Sequence, residues 1–348
     1  MQLRKKAYIR HVKSIAIASV LSVCGLQPLM AQTAIQSDGS VESQARDTWR
    51  AAMSNNPAST EGCSHAVYPS LVWESVDCTV GEPRVRPAPH TSEDGASEIT
   101  GNGHDYALGA TGLITAARGQ FPKGTDVKSE KGVGVKSFGG GGILGPNEYT
   151  LQINSNANAT TSVCAGHSGC TVWQQFVYAP DFFTKGKAAV FIQYWLLNWG
   201  KKACPAGWDD ASGSCVRNSA SVAVPDLKIT DLGNMALEGQ AAAGGHDIVT
   251  FYNGTEAYTV TAKDSVVHLG SVWTEAEFNV VGNAGGSRAD FNEGATIHVL
   301  VRVHDGSSRA PRCLKNAGTT GETNNLDLVS CVAGIDDSNP AIEFIEAN

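Results

Sequence analysis

The sequence predicts an all-β protein, a single large antiparallel β-sandwich or jelly roll, and three observations carry that expectation. From about Thr100 onward, short β-branched and aromatic runs alternate with Gly, Asn, Asp and Pro, with almost no helical periodicity. Asn253-Gly254 stands between Val249-Thr250-Phe251-Tyr252 and Ala257-Tyr258-Thr259-Val260, a strong hairpin signal. In Ile297-His298-Val299-Leu300-Val301-Arg302-Val303 every odd position is apolar, as in a strand with one face in a core. About nine or ten such strands over residues 99–335 make one domain with a substantial core.

Before that domain the chain reads as two segments. Arg4, Lys5, Lys6, Arg10 and Lys13, the apolar run Ile15 to Leu26 and then Pro28-Leu29-Met30-Ala31 match a secretory signal peptide over residues 1–31, so the mature chain is expected to start near Gln32. The apolar run is broken too soon to span a membrane. Residues 32–98 read as an appended N-terminal region, either a propeptide or an extra layer over the main domain. Its best helix is Ser40 to Ser54, with Val41, Ala45, Trp49 and Met53 spaced by four and Asn55-Asn56-Pro57 stopping it. A basic, proline-rich link, Arg84 to His90, follows and is expected to lie as a strap along an acidic groove. The strands expected within the main domain are Tyr106 to Thr115, Tyr149 to Asn154, Val172 to Tyr178, Ala188 to Trp199, Ala220 to Leu232, Ile248 to Tyr252, Ala257 to Ala262, Val272 to Gly282 and Ala295 to His304. Residues 336–348 read as a C-terminal tail.

Charge and cysteine count narrow the function classes. The formal charge of -8 becomes -13 without the five basic residues of the leader, which argues against nucleic acid or an anionic membrane as partner. Of nine cysteines, eight lie beyond the leader, an even count that in an exported chain reads as a disulfide framework. They fall as near neighbours, favouring Cys63 with Cys78, Cys164 with Cys170, Cys204 with Cys215, and Cys313 with Cys331. Neither C-x-x-C nor H-E-x-x-H spacing occurs, so no metal or cofactor is expected. Gly140 to Gly145 satisfies G-x-G-x-x-G, yet Pro146 and a strand follow it where a nucleotide site needs a helix. Gly166-His167-Ser168-Gly169 lies between two cysteines, more the tip of a disulfide loop than a nucleophile elbow.

Two stretches carry the candidate chemistry. Thr171 to Pro180 and Ala189 to Gly200 place Trp173, Gln174, Gln175, Gln193, Trp195, Asn198 and Trp199 on adjacent strands, in a chain that is only 7% aromatic. Core packing alone does not call for those amides, whereas a face of Trp, Gln and Glu suits a polymer, peptide or sugar. In Val272 to Gly282, alternation puts Trp273, Glu275, Glu277 and Asn279 on one face and Ala276, Phe278 and Val280 on the other. A carboxylate beside a Trp is partly desolvated, which raises its pKa and suits it to acid/base work.

The order of these elements resembles the glutamic peptidases (eqolisins), which have a strand Gln, a Trp-rich strand, then Ala-Glu-Trp and Ala-Asp-Phe. Here the corresponding residues are Gln175, Tyr194-Trp195 to Asn198-Trp199, Ala276-Glu277-Phe278, and Ala289-Asp290-Phe291. Tyr149-Thr150-Leu151-Gln152 through Phe191 to Trp195 is also similar to neprosin-type relatives on the same concanavalin-like sandwich. The resemblance covers residues 148–303. It implies a secreted endopeptidase working at acidic pH on polypeptide, with Glu277 as the catalytic Glu and Gln175 as the catalytic Gln, Gln174 being the competing register. Trp173, Gln174, Gln193, Trp195, Trp199 and Glu275 are then expected to bind substrate. Asn198 stands where eqolisins carry Glu, and Phe278 where they carry Trp. A non-catalytic carbohydrate- or protein-binding sandwich is the alternative, and a glycan-cleaving enzyme would need a second carboxylate across the groove.

Overall fold

The computed structural model describes residues 41–79, 105–136, 140–315 and 322–348. The leader and the Arg84–His90 link lie outside them. The described chain forms two large antiparallel sheets packed as a sandwich, as the alternating runs predict. One sheet has nine strands, in the order Glu74–Val76, Gly62–Val67, Glu256–Lys263, His246–Asn253, Met235–Ala241, Ala116–Thr125, Thr296–His304, Asn339–Ala347 and Asp327–Asp336. The other has eight, ordered Asp209–Ala211, Ser214–Val224, Ala188–Leu197, Thr171–Ala179, Tyr149–Ser155, Glu275–Gly282, Tyr106–Gly109 and Arg312–Lys315. A small sheet of Thr323–Asn324, Ser287–Phe291, Glu130–Gly134 and Gly145–Pro146 completes the described body.

Aromatic rings fill the space between the large sheets. Phe121 and Phe278 meet across it at 5.1 Å, and Tyr178 stacks on Phe251 at 4.4 Å. Two glycines of the nine-stranded sheet admit rings from the eight-stranded one: a Cβ on Gly119 would lie 2.0 Å from Phe278, and one on Gly239 would lie 2.4 Å from Phe176. Both contacts are far inside van der Waals distance, so Gly119→Ala is expected to lower stability by about 1–3 kcal/mol, read as a fall in urea midpoint at unchanged slope. A midpoint equal to wild type would show that the sheets shift apart freely.

All four expected disulfides form. One of them closes the sandwich at one edge, and a backbone pairing beside a second closes it at the other. Cys313–Cys331 joins the Arg312–Lys315 strand of one sheet to the Asp327–Asp336 strand of the other. At the far edge, Cys63–Cys78 is followed by Thr79, whose N–H and C=O pair with Ser221 of the eight-stranded sheet. Such a framework requires an oxidising environment.

The N-terminal region is more than a cover. The predicted helix is present as Val41–Asn55, and it packs Trp49 edge-on against Tyr252 of the nine-stranded sheet at 6.0 Å. Gly62–Val67, however, is an internal strand pairing Glu256–Lys263 over six residues and Glu74–Val76 on its other side. These residues cannot leave without unpairing the sheet.

Three sequence expectations are corrected. The C-terminal tail is instead the strand Asn339–Ala347, paired on both sides, with Ile342 and Phe344 in the core. Its alternation is that of a strand, and its flanking polar residues disguised it. The Asn-Gly hairpin is real but shifted: Asn253 pairs with Glu256, so the loop is Gly254-Thr255, with φ of 58° at Gly254, the first central position, as in a type II′ turn. Finally, the last predicted strand of the site begins at Glu275 rather than Val272. The N–H groups of Val272 and Trp273 both donate to the Leu269 carbonyl, a tight turn that breaks the alternation. The Trp273 ring therefore packs on Phe176 in the core, 5.5 Å away, and does not flank Glu277.

Candidate active site

The face of the eight-stranded sheet turned away from its partner carries a straight row of polar side chains. Register sets Glu277 opposite Asn154, Asn154 opposite Gln175, Gln175 opposite Gln193, and Gln193 opposite Asn218, so five neighbouring strands contribute one residue each. Alternation puts their neighbours Phe278 and Phe176 on the other face, where both meet the nine-stranded sheet. Glu277 and Gln175 thus share one face, separated by a single side chain.

That side chain connects them. Asn154 Nδ2 donates to Glu277 Oε2, and Asn154 Oδ1 accepts from Gln175 Nε2 at 3.0 Å. Gln175 Nε2 also donates to Gln152 Oε1 at 2.8 Å. The Trp195 indole N–H donates to Gln175 Oε1 at 2.9 Å and to Gln193 Oε1 at 3.2 Å, and Gln193 Nε2 donates to Asn218 Oδ1 at 2.7 Å. These bonds fix the amide orientation of Gln175: its oxygen faces Trp195 and its NH₂ faces Asn154 and Gln152. Trp173 packs against Trp195 at 5.9 Å on the next row.

Other carboxyl groups crowd the end of the row. Asp105 hydrogen-bonds both Glu277 and Glu346, and Asn279 Nδ2 donates to Asp105 Oδ1 and to Glu346. Gln152 Nε2 donates to Glu322, which stands beside Glu277. Glu277, Asn154, Gln175, Gln152 and Gln193 are each 1% exposed or less. Burial pushes Glu277 up to about 7, against the opposing hydrogen bonds from Asp105 and Asn154, and pushes Glu346 up to about 8. Asp105 lies well above the carboxylate range, first through burial and then through Glu277 and Glu346.

Of the residues expected to bind substrate, Trp173, Gln193 and Trp195 join this face. Glu275 starts the Glu277 strand and is half-buried. Gln174 is placed otherwise: its alternate position turns it between the sheets beside Asp247 of the nine-stranded sheet, so that Gln175 and not Gln174 stands in the row with Glu277. Trp199 lies beyond the end of its strand, stacked on His167 at 3.3 Å with its N–H on the Ala203 carbonyl. Asn154, Gln152, Asp105, Glu322 and Glu346 were not foreseen as site residues. Gln152-Ile153-Asn154 did carry a signal, since two amides on one face of a strand repeat the pattern of Gln175 and Gln193.

Among the described residues no group of three or more His, Cys, Asp or Glu is arranged to hold a metal. A separate cleft of about 650 Å³ opens between the helix and the nine-stranded sheet, lined by Asp47, Ser54, Arg118, Glu238 and His304. Its buried Arg118 already donates to Glu238 from Nε at 2.8 Å.

No protein-family model and no curated protein matches this chain. Among solved structures it is similar to Scytalido-glutamic peptidase, determined with a peptide-based transition-state analogue, at 11% identity and a TM-score of 0.30. The alignment covers 71% of this chain and 98% of that one.

Proposed function

We propose that the protein is a secreted endopeptidase of the glutamic type, in which Glu277 activates water and Gln175 receives the developing oxyanion. The observation that carries this reading is the hydrogen-bonded row Glu277–Asn154–Gln175 on one sheet face. As a carboxylate, Glu277 takes a proton from water while the oxygen attacks the peptide carbonyl. It then returns that proton to the amide nitrogen as the C–N bond breaks, leaving acid and amine products and Glu277 again ionised. One Gln175 N–H exchanges Gln152 or Asn154 for the carbonyl oxygen as negative charge builds there. The row is sealed in this structure, so substrate must displace what covers it, including the contact of Glu322 with Gln152.

The glycan-cleaving reading has less to stand on. Asp105 and Glu277 are in hydrogen-bond contact, whereas glycoside cleavage needs carboxyls roughly 5–9.5 Å apart. The test is incubation of purified protein with casein between about pH 3 and pH 8, with pepstatin and EDTA present. Cleavage insensitive to both inhibitors supports the proposal, and no cleavage at any pH, with Glu277 intact and the protein folded, removes it. Water entering with substrate relieves part of the desolvation of Glu277. The acid limb of the rate profile is therefore expected between its ordinary value of 4.5 and about 7, with activity rising as pH passes through it.

A further inference from the structure

We infer that Asp105 is a positioning residue for Glu277: it keeps a proton on the oxygen facing Glu277 and donates it as a hydrogen bond, so that Glu277 holds the negative charge a general base needs. The inference deepens the peptidase reading but rests on geometry of its own. Tyr106–Gly109 pairs antiparallel with the Glu277 strand, with Ala107 opposite Glu277 and Leu108 opposite Ala276. Continuing that register sets Asp105 opposite Asn279, and alternation puts it on the face of Ala107 and Glu277. The two acids thus meet although they are far apart in the chain.

The hydrogen bonds show where a proton has to be. Asn154 satisfies Glu277 Oε2, and Asn279 satisfies Asp105 Oδ1. Glu277 Oε1 and Asp105 Oδ2 are then the oxygens that receive no N–H donor, and both are wholly buried. The two carboxyls nonetheless bond to one another. Ionised carboxylates only accept, so a bond between two of them contains a proton.

The neighbours decide which acid owns it. The charged groups set against the pair are Glu322 beside Glu277 and Glu346 beside Asp105. Asp105 faces two carboxyls, Glu277 and Glu346, and both raise its proton affinity. Its bond to Glu277 acts the other way on Glu277 and favours the anion. One buried acid therefore stays neutral so that the other can ionise.

Two substitutions separate this role from simple packing. The asparagine of Asp105→Asn can keep its oxygen toward Asn279 and turn its NH₂ toward Glu277, donating where the protonated aspartic acid donates. Asp105→Ala removes the donor altogether. The readout is the side-chain carboxyl carbon of Glu277, observed by NMR in protein carrying carbon-13 glutamate and assigned by its disappearance in Glu277→Gln. In wild type it is expected to titrate in two steps, its own and that of Asp105. In Asp105→Asn one step is expected near the first wild-type midpoint, and in Asp105→Ala the midpoint is expected to rise by about one pH unit or more. Should the alanine variant fail to fold, the asparagine variant decides alone. A two-step curve in it, or a midpoint moved upward by a unit, overturns the assignment. The titration needs no turnover, so casein left uncut by wild type would remove the peptidase reading and leave this one standing. Where turnover is present, Asp105→Asn should keep the acid limb in place and lose the fall in rate at high pH.

Discussion

Thermal melting midpoints are expected to be highest on the acid side and to fall by on the order of 10 °C between about pH 4 and pH 8. Burial is the first cause of raised proton affinity at Glu277 (about 7) and Glu346 (about 8), which share one cluster with Asp105, and at Glu130 (about 8) and Asp247 (about 8) elsewhere in the sandwich. In the unfolded chain these groups ionise near 4, at 4.5 for Glu and 3.8 for Asp. Between those values and their folded ones, the folded state holds more protons than the unfolded state, so stability is lost as pH rises through the window. Counting a single unit for each of the four groups gives about 5 kcal/mol, and at about 2–4 °C per kcal/mol for a domain of this size the midpoint falls as stated. Calorimetry across that range measures it, and a profile that is flat or rises toward pH 8 would contradict the raised proton affinity of these acids. The four disulfides belong to an oxidising environment.

What the sequence discloses follows from how local each feature is. The Thr171–Ala179 and Ala188–Leu197 strands fall within two residues of expectation, because β-branched and aromatic residues alternate with turn signals around them. The disulfides were legible because each joins near neighbours, which in a sheet are hairpin partners or closed loops. The polar row was only half legible. Glu277, Gln175 and Gln193 stand out as acid or amide among aromatics, but their alignment depends on the register of Tyr149–Ser155 between them, which no local pattern fixes. Asp105 was invisible for a stronger reason: its partner lies across a strand pairing formed by residues remote in sequence, and a lone Asp before a short strand usually reads as a turn residue. Trp273 misled because alternation was extended two residues past the true strand end, where a turn resets which side a residue faces.

Substituting the two central residues of the row is expected to have the largest effects on turnover, and to separate chemistry from architecture. Glu277→Gln keeps the volume: its oxygen still accepts from Asn154, and its NH₂ donates to Asp105 once Asp105 gives up the proton it held toward Glu277, so the fold is retained. It removes the only group in the row able to take a proton from water, and a fall of about 10²–10⁴ in kcat is expected. Gln175→Ala should cost about 10²–10³ in kcat through the lost oxyanion donor. It should also lower stability by about 1–3 kcal/mol, because the indole N–H of Trp195 and Oδ1 of Asn154 each lose a partner away from water. Measuring kcat on a peptide substrate beside the urea midpoint of each variant separates the two consequences. With midpoints compared at about pH 4, where Glu277 is protonated in the folded state, Glu277→Gln should change rate and not midpoint; Gln175→Ala should change both. The comparison is informative because both residues belong to one hydrogen-bonded row, and a structural role alone would move the midpoints together and leave kcat per folded molecule unchanged. Retention of more than about a tenth of wild-type kcat by Glu277→Gln would mean that water is activated elsewhere, and the row would then be a device for sealing a polar sheet face.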